Sequence, residues 1–364
     1  MPAHANPQPT HDLWENPLGT DGFEFVVYTA PDPTDLALLF NKLGFRKIAQ
    51  HKTKKLDLYR QGDINFILSS QPNTQAEEFA KVHGPSVCAM AFRVKDAEYA
   101  YKRALELGAE PFEGSIREGD IDLPAIKGIG GSVLYFVDKY GDKGNVYDDD
   151  FELVDDHGWD DNPGYGLTYL DHLTHNVHQG NMDKWAGFYE KIFNFKEIRY
   201  FDIEGKLTGL KSRAMTSPDG KIRIPINESS DDKSQIEEFL KEYNGEGIQH
   251  IALATADIFH TVETMRDANV RFLDTPDTYY EKIDERVPGH GESLERLKKN
   301  RILIDGAPTD EQGILLQIFT ETVIGPVFFE IIQRKGNEGF GEGNFKALFE
   351  SIEEDQIRRG VLEG

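Results

Sequence analysis

Three residues carry the strongest chemical signal in the chain: His172, His250 and Glu330. They lie 78 and 80 residues apart, each in the middle of an apolar run: LDHLTHNV, GIQHIALA and VFFEIIQ. An imidazole or carboxylate inside such a strand is costly unless it is paired, hydrogen-bonded or bound to a metal. Taken singly, each reads as a satisfied core group. Three at near-equal spacing, each within a strand of a repeated unit, read as one site. With period-two alternation Phe328, Glu330 and Ile332 share a face, so Glu330 has an aromatic and an aliphatic neighbour on its own side. A lone carboxyl there would be driven neutral; a divalent ion reverses that logic and holds it ionised. Two imidazoles and one carboxylate form the facial ligand set of non-haem Fe(II) oxygenases, which leaves positions open for substrate and O2.

The other histidines do not extend the set. Alternation turns His175 away from His172, and His178 lies beyond the apolar run, so both are expected to be ordinary polar residues. His4, His11, His51, His83, His157 and His290 sit in polar, Gly- or Pro-containing stretches and are expected to be solvated, while His260 lies on a helix without a partner motif. The single cysteine, Cys88, excludes an intramolecular disulfide and a multi-cysteine metal site, and reads as a small core residue. The acidic runs Asp148–Asp150 and Asp231–Asp232 lack EF-hand spacing and read as solvated loops. No GxSxG elbow, P-loop or GxGxxG turn is present, and GFGEGNF at Gly339 has no strand leading into it as a phosphate loop requires.

These side chains need a scaffold. The 364 residues suggest two domains, and 38% hydrophobic content supplies a core. A net charge of −24 argues against nucleic acid or an anionic membrane as partner. No apolar run approaches the ~20 residues of a bilayer span, and residues 1–22 lack a signal-peptide core, so a cytoplasmic location is expected. Gly22–Thr29, Lys55–Arg60, Asn65–Ser69, Ser86–Val94 and Ser132–Val137 read as strands, with helices at Pro33–Leu43 and Asp96–Leu107. The order returns at Thr168–Val177, Lys206–Ser217, Ile222–Ile226, Gly247–Thr255 and Ile314–Thr320, with helices at Asp183–Ile192 and Asp257–Ala268.

This is an internal repeat. The segment from Gly84 matches that from Gly245 without gaps, setting His250 opposite Ala89, and a looser match sets Glu24 opposite His172. The expected architecture is α+β. Two tandem domains, 1–155 and 156–364, are each built from two βαβββ modules forming an open barrel, and only the second carries metal ligands. At the C-terminus, Phe345, Leu348, Phe349 and Ile352 follow helical spacing, so 344–359 reads as an amphipathic lid helix. Gly336, Gly339, Gly341 and Gly343 before it read as a flexible hinge.

The segments YLDHLTHNV, RIPINE, GIQHIALAT, LLQIFT, FFEIIQRKG and GFGEGNFKALFESIE closely resemble the 4-hydroxyphenylpyruvate dioxygenase family of the vicinal-oxygen-chelate fold. The resemblance covers essentially the whole chain. It implies one Fe(II) per subunit on His172, His250 and Glu330. It implies a substrate pocket from Ser212, Asn227, Gln235, Gln249, Gln317, Phe319, Phe340, Asn344, Phe345 and Leu348. Of these, Gln235, Gln317 and Asn227 would orient the ring and its phenol, and Phe319 and Phe345 would stack on it. Gln249 alternates away from His250, so the residue pattern supports its role least. The implied reaction takes 4-hydroxyphenylpyruvate and O2 to homogentisate and CO2 in tyrosine breakdown, in a homo-oligomer, a dimer or tetramer. Two alternatives stand beside it: 4-hydroxymandelate synthase, with the same ligands and substrate, and a metal-free small-ligand binder of the same fold.

Overall fold

The computed structural model describes residues 12–112, 119–154, 159, 162–204, 209–230, 234–348 and 358. The first half runs β1 (Phe23–Thr29), α1 (Thr34–Lys42), β2 (Arg46–His51), β3 (Leu56–Gln61), β4 (Ile64–Ser69), α2 (Gln75–His83), β5 (Ser86–Arg93), α3 (Ala97–Glu106), β6 (Ala125–Lys127), β7 (Val133–Val137) and β8 (Phe151–Leu153). The second runs β9 (Leu167–Val177), α4 (Met182–Phe193), β10 (Lys196–Glu204), β11 (Gly209–Thr216), β12 (Arg223–Ser229), α5 (Gln235–Tyr243), β13 (Gly247–Thr255) and α6 (Ile258–Asp267). Three short helices follow, α7 (Asp277–Glu281), α8 (Ile283–Arg286) and α9 (Leu294–Asn300), then β14 (Leu303–Gly306), β15 (Ile314–Phe319) and β16 (Phe328–Lys335).

Each half is one eight-stranded sheet. The second has the order β10-β11-β12-β9-β13-β16-β15-β14, two βαβββ modules meeting at the antiparallel pair β9–β13. The first follows the same plan in the order β6-β7-β5-β1-β4-β3-β2-β8, except that β8 pairs with β2 at the far edge. The central strands are buried on both faces, which is why they read as nearly continuous apolar runs. Aromatic contacts join the halves: Phe92 meets Phe193 at 5.4 Å and Phe66 meets Phe329 at 6.1 Å.

Several expectations need correction. The strand expected at Lys206–Ser217 is β11, its paired edge strand β10 is not among those expected, and residues 205–208 lie outside the described set. The boundary expected at 155/156 also falls outside it. The looser repeat match is off by one. His172 pairs with Ala252 as Phe25 pairs with Ala91, so Phe25, not Glu24, stands opposite His172, and Glu24 stands opposite Asp171. A one-residue slip exchanges the faces of a strand, so the correction changes which side chains correspond.

Candidate metal centre

Register explains how the three candidate ligands converge. Ala252 on β13 is flanked by His172 on β9 and Glu330 on β16, and His250 lies two residues before it on the same face. The small alanine leaves the space above it to the three larger side chains. His172 Nε2, His250 Nε2 and Glu330 Oε2 form a near-equilateral triangle with sides of 3.2, 3.3 and 3.3 Å. Cis ligands at 90° are separated by √2 times the bond length, so this edge corresponds to bonds of about 2.3 Å, close to the ~2.0–2.2 Å of divalent metals with N and O donors. Two imidazole nitrogens facing one carboxylate oxygen at these distances are satisfied together by a cation, and the donor set fits a divalent metal.

Burial opposes charge at all three positions. The Glu330 carboxyl nonetheless drops to about 2, because His172 and His250 face it. His172 rises above its ordinary value: burial pulls it down, but the carboxylates of Glu330 and Asp171 outweigh that. His250 is lowered, burial being the largest cause.

Two β-bulges set the outer partners. Asp171 is the extra residue between the pairs Ala252–His172 and Leu253–Leu170, and Gln249 is the extra residue between Ile248–His175 and His250–Thr174. A bulge re-aims its side chain. Asp171 Oδ1 lies 2.7 Å from His172 Nδ1, and Gln249 Oε1 lies 3.0 Å from His250 Nδ1. Each imidazole thus donates Nδ1–H to its neighbour and offers Nε2 to the metal. Simple alternation, which turned Gln249 away from His250, fails here because of the bulge.

The third ligand is tied to the C-terminal segment. Gln317 Nε2 donates to Glu330 Oε1 at 2.8 Å, leaving Oε2 for the triangle, and Gln317 Oε1 accepts from Asn344 Nδ2 at 2.8 Å. Asn344 Oδ1 in turn lies 2.5 Å from the Tyr279 hydroxyl. Phe340 meets the His172 ring edge-on at 5.1 Å, and Phe319 meets the His250 ring at 6.1 Å. Two of the glycines expected to form a hinge, Gly341 and Gly343, are sites of close approach. A Cβ at Gly341 would lie 1.7 Å from Gln317 Oε1, and one at Gly343 would lie 2.3 Å from Asp305 Oδ1.

The remaining expected residues divide. Ser212, Asn227 and Asn176 lie side by side across β11, β12 and β9, on the face that carries His172, and Asn227 donates to Asn176 Oδ1 at 3.2 Å. Asn176 was missed in the sequence, although it stands four residues after His172 on the same face. Leu348 is half-buried against the core. Gln235 is exposed on the first turn of α5, and Phe345 is 40% exposed, so neither is held against the triad in this structure. Helical backbone covers 342–348; Phe349, Ile352 and most of the expected 344–359 helix lie outside the described residues, and Arg358 pairs with Glu281 at 2.8 Å.

Four histidines depart from expectation. His175 is buried between Ile226 and Ile248 on the adjoining strands, and burial drives its pKa down to about 4, so it is neutral. His83 stacks on Tyr243 across the two halves at 4.5 Å. The His290 side chain is largely buried beside Asp284, and the His51 ring packs edge-on against Phe151 at 5.1 Å. His4, His11 and His157 lie outside the described residues, as do Asp231 and Asp232.

Comparison with known proteins supplies the family. Residues 14–152 match the N-terminal domain model of hydroxyphenylpyruvate dioxygenase, and residues 169–286 match the glyoxalase/bleomycin resistance protein/dioxygenase superfamily. A 4-hydroxyphenylpyruvate dioxygenase from Pseudomonas aeruginosa is 63% identical over 95% of this chain and 97% of its own length. The chain belongs to the 4-hydroxyphenylpyruvate dioxygenase family. Another relative, the protein named hemolysin VllY of Vibrio vulnificus, is 69% identical over 95% of this chain and 98% of its own length. Among solved structures, a mutant 4-hydroxymandelate synthase from Streptomyces coelicolor superposes with a TM-score of 0.78 at 26% identity, covering 93% of this chain and 99% of that one. Dioxygenase-named relatives are therefore far nearer in sequence than this synthase. Among the described residues no helix is long and apolar enough to cross a membrane.

Proposed function

We propose that the chain is the Fe(II)-dependent enzyme that converts 4-hydroxyphenylpyruvate and O2 to homogentisate and CO2, a step of tyrosine breakdown. The observation that carries this reading is the triangle of His172, His250 and Glu330 donor atoms, with sides of 3.2–3.3 Å, inside a barrel of this family. Bound there, Fe(II) would supply open positions for a keto acid and O2 and a path for electrons from the keto acid, the reductant of the oxidative decarboxylation, to O2.

The chain's own residues do the rest. Asp171 and Gln249 hold the two imidazoles with Nε2 inward. Gln317 holds the Glu330 carboxylate. Phe319 and Phe340 wall the site and exclude water, and the polar row Ser212, Asn227 and Asn176 offers hydrogen bonds to the phenol end of the substrate. Gln235 and Phe345 are assigned to the pocket as residues that reach the ring when their segments close over it. One iron per subunit, a cytoplasmic location and a dimer or tetramer belong to the same proposal.

The test is incubation with Fe(II), ascorbate and 4-hydroxyphenylpyruvate, with product identification. Homogentisate is expected. 4-Hydroxymandelate as main product would replace this reading with the synthase, and a purified protein that takes up no Fe(II) would favour a ligand-binding module. Sedimentation velocity checks the assembly state.

A further inference from the structure

The bulge residue Asp171 is fully buried, and three groups share its carboxylate. His172 Nδ1 stands 2.7 Å from Oδ1, Arg334 donates to both oxygens at 2.8 Å, and Arg223 Nη1 lies 3.7 Å from Oδ2. Arg334 also reaches the other way. Its Nη1 donates to the carbonyls of Asn337 at 3.0 Å and Gly339 at 2.6 Å, and its guanidinium lies 5.6 Å over the Phe340 ring. Phe340 in turn packs on His172. The circuit closes on one imidazole, held from behind by Asp171 and from the side by Phe340.

We propose that Asp171 and Arg334 are positioning residues for His172, and that through Arg334 the seating of residues 337–340 is coupled to metal affinity. A carboxylate on Nδ1–H fixes tautomer and ring orientation and makes the ligand nitrogen more basic. A bidentate guanidinium fixes the carboxylate in turn. The rigid guanidinium whose Nε and Nη2 fix Asp171 caps the two carbonyls through Nη1, so a shift of His172 is felt by the C-terminal segment, and the reverse.

The first half holds the competing explanation. Glu24 is the bulge residue at the corresponding place and is likewise buried, with Arg93 Nε at 2.5 Å, yet the residue beside it is Phe25. A buried carboxylate–arginine pair at this bulge can thus serve the scaffold alone. In the second half the pair also serves the ligand.

The inference rests on the metal reading, and the experiment separates the two. Metal-free wild type, Asp171→Asn and Arg334→Lys are titrated with Co(II), following the ligand-field bands and the heat of binding. Metal-free melting temperature and limited proteolysis of the C-terminus, with and without Co(II), are measured in parallel. Wild type is expected to bind one Co(II) and to gain protection from proteolysis. Asp171→Asn should bind about 10–100-fold more weakly, with altered bands. Arg334→Lys should lose a smaller factor in affinity and most of the Co(II)-dependent protection.

Wild type that binds no Co(II) overturns the metal reading. Wild type that binds, beside a folded Asp171→Asn with equal affinity and identical bands, overturns the positioning role whatever its melting temperature. Full protection in Arg334→Lys overturns the coupling. If Asp171→Asn does not fold, Arg334→Lys, which keeps the charge balance, decides by the same affinity comparison.

Discussion

The two halves of this molecule share a plan and differ in what stands at three positions. Where the second half places His172, His250 and Glu330 around Ala252, the first places Phe25, Ala89 and Tyr135 around Ala91. Two bulges are the same. Glu24 and Cys88 are the extra residues in the first half, Asp171 and Gln249 in the second. In the first half the Phe25 and Tyr135 rings meet at 5.9 Å, and the cavity beside Ala89 and Tyr135 has about 20 Å³, room for about one water. The comparison teaches that strand order, register and bulges make the cradle, while side-chain identity alone decides whether it is a core or a metal site.

The comparison can be broken by substitution. His172→Phe copies the first half at one ligand and should abolish metal binding and turnover, by more than about 100-fold in affinity since outer partners alone are worth that much; metal analysis of the purified protein checks it. Truncation before Phe340 should keep metal within about tenfold of wild-type affinity, because the triad and its bulge partners remain, but should abolish homogentisate formation. Full turnover in the truncated protein would make the C-terminal segment a mere cover. Gln249→Cys copies the first half at the second bulge and should weaken metal binding about tenfold, measured by calorimetry.

A fourth test concerns pH. His175 corresponds to Tyr28, which carries no charge in the acid range. Its pKa of about 4 lies below its value in the unfolded chain, so the folded state resists protonation that the unfolded state accepts. Stability is therefore present above pH 6.5 and lost as pH falls toward 4, by roughly 2 kcal/mol between pH 7 and 5. His175→Phe should flatten that part of the profile in thermal unfolding of the metal-free protein. The smallest effect is expected from Tyr135→Phe, within about 1 kcal/mol of wild-type stability and with unchanged turnover, since Phe25 and Ala89 beside it give a metal no donor.

The ligand triad was legible because its residue types are costly where they stand: a His or Glu inside an apolar strand demands a partner. Its outer partners were not legible. Asp171 and Gln249 alternate away from the histidines they serve, and only the extra residue of a bulge brings them round, which period-two reasoning cannot anticipate. Helices α2 and α5 are both absent from the sequence expectations although a signal exists. QAEEFAKVH at Gln75 parallels QIEEFLKEY at Gln235, each with a hydroxyl N-cap, Thr74 and Ser234, but Asn244 has no counterpart and interrupts a gapless match. Gln235 and Phe345 show the opposite limit: the family pattern names them, yet both are exposed in the structure, which their residue types do not reveal.

The backbone at Gly341 passes so near Gln317 that a methyl group there would overlap the amide oxygen, and this bears on how the protein tolerates change. In a saturation-mutagenesis survey scored by homogentisate formation, position 341 should be as intolerant as His172, His250 or Glu330, though it has no side chain to offer the site. Directed evolution of new ring specificities would find its freedom at Phe319, Asn227 and Asn176, and almost none along the loop that presses Gln317 into place.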